Sequence, residues 1–113
     1  DGKPFVFNGN VLNHASIPNL PSDACVEVSV VADRMGMKTT IAGALPEHLA
    51  ILVNTTARIE NLVVEAAAKK SREEVYHAVY MDPLTSAVCS LDEIKHMCDE
   101  LFEINADFIG DYK

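Results

Sequence analysis

The sequence carries little positive charge, and this scarcity argues against partners that are polyanions. Lysine and arginine together number 9, against 17 aspartates and glutamates, so the formal net charge is −8. The few cations gather only at Lys69, Lys70 and Arg72. Nucleic-acid binding needs a basic stripe that displaces counterions, and attraction to an anionic membrane surface needs basic clusters too. We therefore expect neither partner.

The sequence also lacks long apolar runs and a cysteine framework. No apolar run approaches the roughly 18–20 residues that span a bilayer, and no basic segment precedes an apolar core as in a signal peptide. Cys25, Cys89 and Cys98 are odd in number and show no C-x-x-C spacing, which fits neither a disulfide framework nor a zinc site. Such thiols act as small hydrophobic residues in a reducing compartment, so we expect a cytoplasmic protein.

Common active-site motifs are absent as well. The five glycines are scattered, and neither G-x-G-x-x-G nor G-x-x-x-x-G-K occurs. G-x-S-x-G and H-E-x-x-H are also missing. Taken alone, the residues predict a binding or assembly domain without a complete active site.

The strongest pattern that is present predicts a helix from Pro46 to about Lys70. Apolar residues recur there at spacings of three and four, which predicts one buried face: Leu49, Leu52, Val53, Thr56, Ile59, Val63 and Ala66. The opposite side also carries small or apolar residues, namely Ala50, Ala57, Val64 and Ala68. A helix that is apolar on most of its circumference is typically buried on more than one side.

The rest of the sequence predicts a small antiparallel sheet before this helix and shorter helices after it. We expect a strand around Phe5–Phe7 that ends at the turn signal Asn8-Gly9, an ordered loop over 11–23, and a β-hairpin over 24–42. In the first strand of the hairpin, alternation places Val26, Val28 and Val30 on one face and Glu27 and Ser29 on the other. Capping boxes begin helices after Ser71 and Ser90, and Asp82-Pro83 begins a short helical turn. We expect 105–113 to be a tail. The fold class is α+β.

Three groups of residues could carry chemistry, and each has a structural alternative. The loop residues Asn10, Asn13, His14 and Asn19 could bind a polar ligand such as a sugar, or they could satisfy backbone groups of the loop. His77 and His96, with the nearby cysteines, match no zinc spacing, so packing explains them better. Glu60 and Glu65 could act as acids if buried, but a solvated helix face explains both more simply.

Three stretches carry a family resemblance. Asn19-Leu20-Pro21 followed by Val26-Glu27-Val28, the segment 62–85, and the segment from Cys89 to about Asn105 each match characteristic runs. Together they resemble the C-terminal part of glycoside hydrolase family four, most closely its α-galactosidase, α-glucosidase and α-galacturonidase branch. Two positions depart from the common pattern: Ser29 stands where many members have proline, and Asn13-His14-Ala15 stands where Asn-x-Gly is frequent.

The resemblance implies an unusual enzyme and a division of its parts. Most glycosidases use a pair of carboxylates, whereas members of this family cleave the bond by an NAD-dependent reaction. The resemblance implies oxidation at the sugar C3, acidification of C2 with help from Mn²⁺, and elimination of the leaving group. The implied residues for NAD, Mn²⁺ and the general base lie upstream, in a Rossmann domain of the same enzyme. We expect neither NAD nor Mn²⁺ on this chain alone, which would be inactive by itself.

The same resemblance implies what this chain contributes. Residues 1–113 would be a single C-terminal domain, similar to part of the lactate dehydrogenase C-terminal domain. The strand and loop of 1–23 would lie near the substrate cleft, so Asn10, Asn13, His14 and Asn19 become the candidates for binding the carbohydrate substrate. The hairpin and helical body of 24–113 would contribute subunit contacts, and we expect self-association as a dimer or tetramer. The alternative is a non-catalytic oligomerisation or ligand-binding module.

Overall fold

The computed structural model describes residues 2–113, and its elements confirm the α+β fold. Three strands, β1 (Phe5–Leu12), β2 (Cys25–Asp33) and β3 (Gly36–Thr39), precede the helices. The helices are α1 (Glu47–Lys69), α2 (Arg72–Met81), α3 (Pro83–Val88), α4 (Leu91–Ile104) and α5 (Ala106–Ile109). The chain forms two compact units, and their boundary between Ala57 and Arg58 falls inside α1.

The strands form one antiparallel sheet in the order β1-β2-β3, and its two faces differ. Alternation along β2 buries Val26, Val28 and Val30 and leaves Glu27 and Ser29 exposed, as the sequence predicts. Residues of the loop and of α1 complete the core of this first unit: Ile17, Leu20, Ala24 and Ala57, with Val11 and Leu45 packed against them.

The Asn8-Gly9 pair does not end β1, so that part of the prediction is wrong. β1 continues to Leu12 and pairs with β2 along its whole length, with Gly9 opposite Val28. A Cβ at Gly9 would meet Val30 Cγ2 at 3.1 Å and the Phe7 ring at 3.2 Å. Glycine therefore makes room for the Phe7 ring in the sheet, and no turn is needed to explain it.

The predicted helix α1 is confirmed, but its predicted buried face is only partly right, since Ala66 of that face is buried and Ile59 is half-buried while most of its larger side chains are exposed. Leu52 is 65% exposed and Val63 is 53% exposed, whereas Ala50, Ala57 and Ala66 are buried. Ala50 and Ala57 come from the side that the sequence pattern ranks second. Alanine has no side chain beyond Cβ, so neighbouring elements can approach the helix backbone closely there, which a pattern of large apolar residues does not reveal.

The helices of the second unit begin where the sequence predicts. Ser90 and Glu93 form both halves of a capping box. Ser71 Oγ accepts a hydrogen bond from the Glu74 N–H at 3.3 Å. The second hydrogen bond of that predicted box, from the Ser71 N–H to the Glu74 carboxylate, is not formed. The Ser71 N–H donates instead to the Ala66 carbonyl, and the Glu74 carboxylate pairs with Lys69 at 3.0 Å.

The predicted tail contains structure of its own. It holds the short helix α5, and the N–H and carbonyl of Lys113 pair with the Lys70 carbonyl and the Arg72 N–H at 2.9 and 2.7 Å. Tyr112 packs on Phe102 with ring centroids 5.6 Å apart. The core of this unit also includes Ala78, Ile94 and Cys98. Within residues 2–113, no helix is both long and apolar enough to cross a bilayer.

Candidate functional site

The loop between β1 and β2 is held together by one buried side chain, that of Asn13. Asn13 is 1% exposed, and its Nδ2 donates to the carbonyl oxygens of Ile17, Leu20 and Pro21 at 2.9, 3.1 and 3.0 Å. Its Oδ1 accepts from the Ile17 N–H at 2.8 Å. An asparagine amide has two donor hydrogens and two acceptor lone pairs. The donors of Asn13 are thus fully engaged by the loop backbone.

Asn19 performs a similar role at longer range. Its Nδ2 donates to the Leu45 carbonyl at 2.8 Å, and its Oδ1 accepts from the Leu45 N–H at 2.9 Å. These two bonds join the loop to the segment immediately before α1. Although the Asn19 side chain is exposed, both ends of its amide already have backbone partners.

His14 is presented outward by the same loop. It is exposed, and its backbone has φ 47°, in the left-handed region that few residues other than glycine adopt. The backbone N–H of Asn13 donates to the Ala24 carbonyl at 2.8 Å, and that of His14 donates to the Ser22 carbonyl at 2.9 Å. These bonds close the base of the loop and hold the backbone from which the His14 side chain projects.

Asn10 lies on the open face of the sheet rather than in the loop. It is exposed and stands directly opposite Glu27 on β2, and Asn8 stands opposite Ser29 in the next pair of the same face. Within the described residues, Asn8, Asn10 and Glu27 make no side-chain hydrogen bond. Asn8, Asn10, Glu27 and Ser29 thus form an exposed polar patch, and their side-chain donors and acceptors are free to bind a ligand. Sequence reasoning did not propose Asn8, Glu27 or Ser29 as site residues, although the alternation of β2 marked the last two as outward-facing.

The four predicted residues therefore divide into two pairs. Asn13 and Asn19 direct their amides to the backbone, as the structural alternative predicts. Asn10 and His14 keep their side chains free for a ligand. No single cluster brings the four side chains to one ligand in residues 2–113, and any shared role must combine the loop with the open sheet face.

The histidines of α2 and α4 each lie beside a glutamate of the same helix on the protein surface. His77 lies 3.8 Å from Glu74, and His96 lies 3.8 Å from Glu100. Lys69 bridges Glu65 at 2.9 Å, which accounts for one of the two glutamates of α1 considered as acids. In residues 2–113, no group of three or more His, Cys, Asp or Glu side chains is placed to hold a metal ion.

A second polar network links α2 to α4. Asp99 accepts hydrogen bonds from the Tyr76 hydroxyl and from Lys95 Nζ, the latter at 2.6 Å. The Lys95 and Tyr76 hydrogen bonds lower the pKa of Asp99, and the hydrogen bond to Asp99 raises the pKa of Tyr76. The network thus joins α2 to α4 through the Tyr76, Lys95 and Asp99 side chains.

The second unit also contains an apolar groove. It has a volume of about 200 Å³ and is lined by Val75, Val79, Met97, Cys98, Leu101, Phe102, Asn105 and Ile109. Burial raises the pKa of the Cys98 thiol, which favours the neutral form expected of a small hydrophobic side chain. The groove offers few polar groups to orient a small ligand.

Comparison with known proteins gives one consistent family. The profile described as "Family 4 glycosyl hydrolase C-terminal domain" matches residues 1–85. An alpha-galactosidase of Bacillus subtilis (strain 168) is 47% identical over 111 residues, which are 98% of this chain and 26% of that protein. An alpha-galactosidase of Rhizobium meliloti (strain 1021) is 31% identical over 98% of this chain and 23% of its own length. The chain thus spans about a quarter of the length of the relatives that it matches.

Solved structures of glucosidases share the fold of this chain. A 6-phospho-alpha-glucosidase from gut microorganisms, in complex with NAD and glucose-6-phosphate, superposes with a TM-score of 0.85 at 26% identity, over 99% of this chain and 25% of that chain. A 6-phospho-beta glucosidase from Thermotoga maritima, solved with manganese, NAD+ and glucose-6-phosphate, has a TM-score of 0.80. At 24% identity, over 94% of this chain and 26% of that chain, it shows the fold alone.

Proposed function

The chain belongs to the family 4 glycosyl hydrolases, and we propose that it is the C-terminal part of a longer NAD- and Mn²⁺-dependent glycosidase. The observation that carries this proposal is the 47% identity to an alpha-galactosidase over 98% of the chain, together with a span of only 26% of that protein. We take α-galactosides as the first substrates to test, and oxidation followed by elimination as the route of O-glycosidic cleavage.

NAD and Mn²⁺ are assigned to the part of the enzyme that precedes this chain. The described residues do not fit either group, because they contain no cluster of metal ligands and the sequence has no glycine-rich phosphate loop. No step of the reaction therefore rests on these residues, and neither cofactor is expected to bind the chain alone. The upstream Rossmann domain is the partner that would supply both.

The contribution of this chain is to shape part of the carbohydrate cleft. The strand and loop of 1–23 supply Asn10 and His14, whose exposed side chains are free to hydrogen-bond a sugar. Asn13 and Asn19 act as positioning residues, since their amides hold the loop that carries His14. A preformed loop loses little conformational entropy when a ligand binds, which suits residues that only bind and orient substrate.

The helical body is assigned to subunit contacts. Large apolar side chains remain exposed on α1 and α5, among them Leu52 at 65% and Phe108 at 88%. Monomeric proteins rarely leave contiguous apolar patches uncovered, so we propose that the enzyme is a dimer or tetramer. Free thiols at Cys25, Cys89 and Cys98 suit a reducing compartment, and we propose a cytoplasmic location.

The test compares the whole enzyme with the chain alone. The open reading frame that contains this sequence is expressed in full, and turnover of nitrophenyl α-galactoside is measured with NAD, Mn²⁺ and reductant. We expect turnover that is lost without NAD or in the presence of a metal chelator, and none from the 113-residue chain. Turnover by the chain alone would show that its own residues carry the chemistry. A full-length enzyme inactive on every glycoside would overturn the proposed function.

A further inference from the structure

The apolar groove of the second unit, which we name the α2–α4 groove, has room for one aromatic side chain. Val75 and Val79 of α2 line it together with Leu101 and Phe102 of α4, and its volume is about 200 Å³. An apolar cavity of roughly 150 Å³ is large enough to hold a benzene ring. A phenyl group therefore fits the groove, and the apolar lining suits it better than it suits a polar ligand.

A side chain of this kind projects beside the groove. Phe108 is 88% exposed, the largest exposed fraction of any large hydrophobic residue in 2–113. The next residue, Ile109, lines the groove, whereas Phe108 does not. In a two-fold symmetric contact the same patch of both copies meets, so the patch must carry a projection and a matching hollow. Phe108 and the α2–α4 groove together supply both.

The charges on this patch are also complementary. Arg72 lies at the groove, with its Cζ 4.7 Å from the centroid of the Phe102 ring, and Asp107 directly precedes Phe108. Within residues 2–113 neither Arg72 nor Asp107 forms an ion pair, apart from a longer-range interaction of Arg72 with Asp99. The hollow thus carries a cation and the projection an anion. The net charge of −8 disfavours less complementary contacts between copies.

From these features we propose that two copies of the enzyme pair about a two-fold axis, with Phe108 of each copy inserted into the α2–α4 groove of the other. The same contact brings Asp107 beside the partner subunit's Arg72, and symmetry forms each interaction twice. Aromatic anchors that fill a pocket carry much of the binding energy at protein interfaces. The inference rests on the proposed function, since it identifies the surface through which the subunits of that enzyme meet.

The first experiment tests the contact by rescue between two variants of the full-length enzyme. Phe108→Lys removes the aromatic projection, and Leu101→Glu places a charge in the groove at a position that is 51% exposed, where the fold tolerates it. Each variant alone should raise the dimer dissociation constant at least about tenfold, as loss of an aromatic anchor does. An equimolar mixture should associate more tightly than either variant, because the mixed pair forms one native contact and one Lys–Glu contact. Sedimentation equilibrium measures all three.

Val88→Lys is the matched control, because Val88 is 82% exposed and does not line the groove. It should leave the dissociation constant within about twofold of wild type, and melting temperatures show that each variant is folded. A dimer that responds to Phe108→Lys no more than to Val88→Lys overturns this inference. A mixture without rescue also overturns it, and would indicate that the upstream part of the same polypeptide covers the groove.

The assay also separates this inference from the proposed function. A full-length enzyme that is monomeric overturns both the inference and the proposed subunit contacts. Turnover of nitrophenyl α-galactoside by the same samples tests the glycosidase assignment independently of association. An active enzyme that fails the rescue test therefore loses only the contact proposed for Phe108.

The second experiment exchanges the two charges of the contact in the full-length enzyme. Arg72→Glu and Asp107→Arg should each raise the dissociation constant by about two- to fivefold, which is typical of an exposed ion pair. The double variant carries the same pair in reverse and should return the dissociation constant to within about twofold of wild type. A double variant at least as weak as the two single effects combined overturns the contact between Asp107 and the partner subunit's Arg72.

Discussion

Asn13 and Ile17 close a reciprocal pair of hydrogen bonds, in which Nδ2 donates to the Ile17 carbonyl at 2.9 Å and the Ile17 N–H donates to Oδ1 at 2.8 Å. Ile17 in turn packs into the core of the first unit. One buried amide therefore connects the backbone of the loop to the hydrophobic core. Asn10 serves as the control for removing this amide, because it is also an asparagine but its side chain is exposed.

Asn13→Ala should lower the free energy of unfolding by about 3 kcal/mol, because it removes four hydrogen bonds and leaves buried backbone groups without partners. Asn10→Ala is the matched control and should change it by less than about 0.5 kcal/mol, as is usual for exposed positions. Urea denaturation measures both. Equal effects of the two substitutions would contradict the structural role of Asn13.

Two substitutions on α1, one at an exposed and one at a buried position, test which side of the helix is buried. Sequence periodicity places Val63 on the main buried face, where Val63→Asp would unfold the domain. With Val63 53% exposed, we expect Val63→Asp to cost less than about 1 kcal/mol. Ala66→Asp introduces a charge at a position that is 2% exposed, and should cost about 3 kcal/mol or more. If Val63→Asp were the more damaging of the two in thermal unfolding, the exposed side of α1 would be misassigned.

Acid should remove the contribution of Asp99. Its pKa is held below the ordinary value of 3.8, first by the hydrogen bond from Lys95 and then by that from Tyr76. A carboxylate whose pKa is lower in the folded state stabilises the protein above its unfolded pKa, and this contribution is lost as the pH falls through the folded value. The stability difference between wild type and Asp99→Asn should therefore be largest near neutral pH and shrink below pH 3.8. Urea midpoints at several pH values measure it, and a constant difference would contradict it.

Self-association of the 113-residue chain is the fourth prediction. Sedimentation equilibrium at tens of micromolar should reveal a species larger than 12.3 kDa, most simply a dimer. Phe108→Ser, at a side chain that is 88% exposed, should weaken association and make the melting temperature less dependent on protein concentration. A single 12.3 kDa species that binds no dye specific for apolar surface would show that the exposed apolar residues do not form a contact.

Local signals in the sequence predicted the fold better than they predicted the site. The Ser90–Glu93 box and the alternation of β2 depend on residues a few positions apart, and both are confirmed. The buried side of α1 depends on what packs against it, so its alanines rank below larger side chains in the sequence pattern. The partners of Asn19 lie 26 residues away at Leu45, and no pattern in the sequence indicates that its amide is already engaged.

The engagement of Asn13 by its own loop has a consequence for how such a domain can evolve. A change at Asn13 damages the fold before it can alter recognition, because its amide donors are already used by the backbone. Asn10 and His14 are exposed, so changes at Asn10 cost the fold little, and changes at His14 cost little where the new residue tolerates the positive φ. Mutational drift can therefore change the side chains offered at these two positions, which we propose for sugar binding, while the loop that carries His14 keeps its shape. Because Asn13 holds the loop and the exposed residues near it can change, the same scaffold can acquire different specificities without passing through variants that fail to fold.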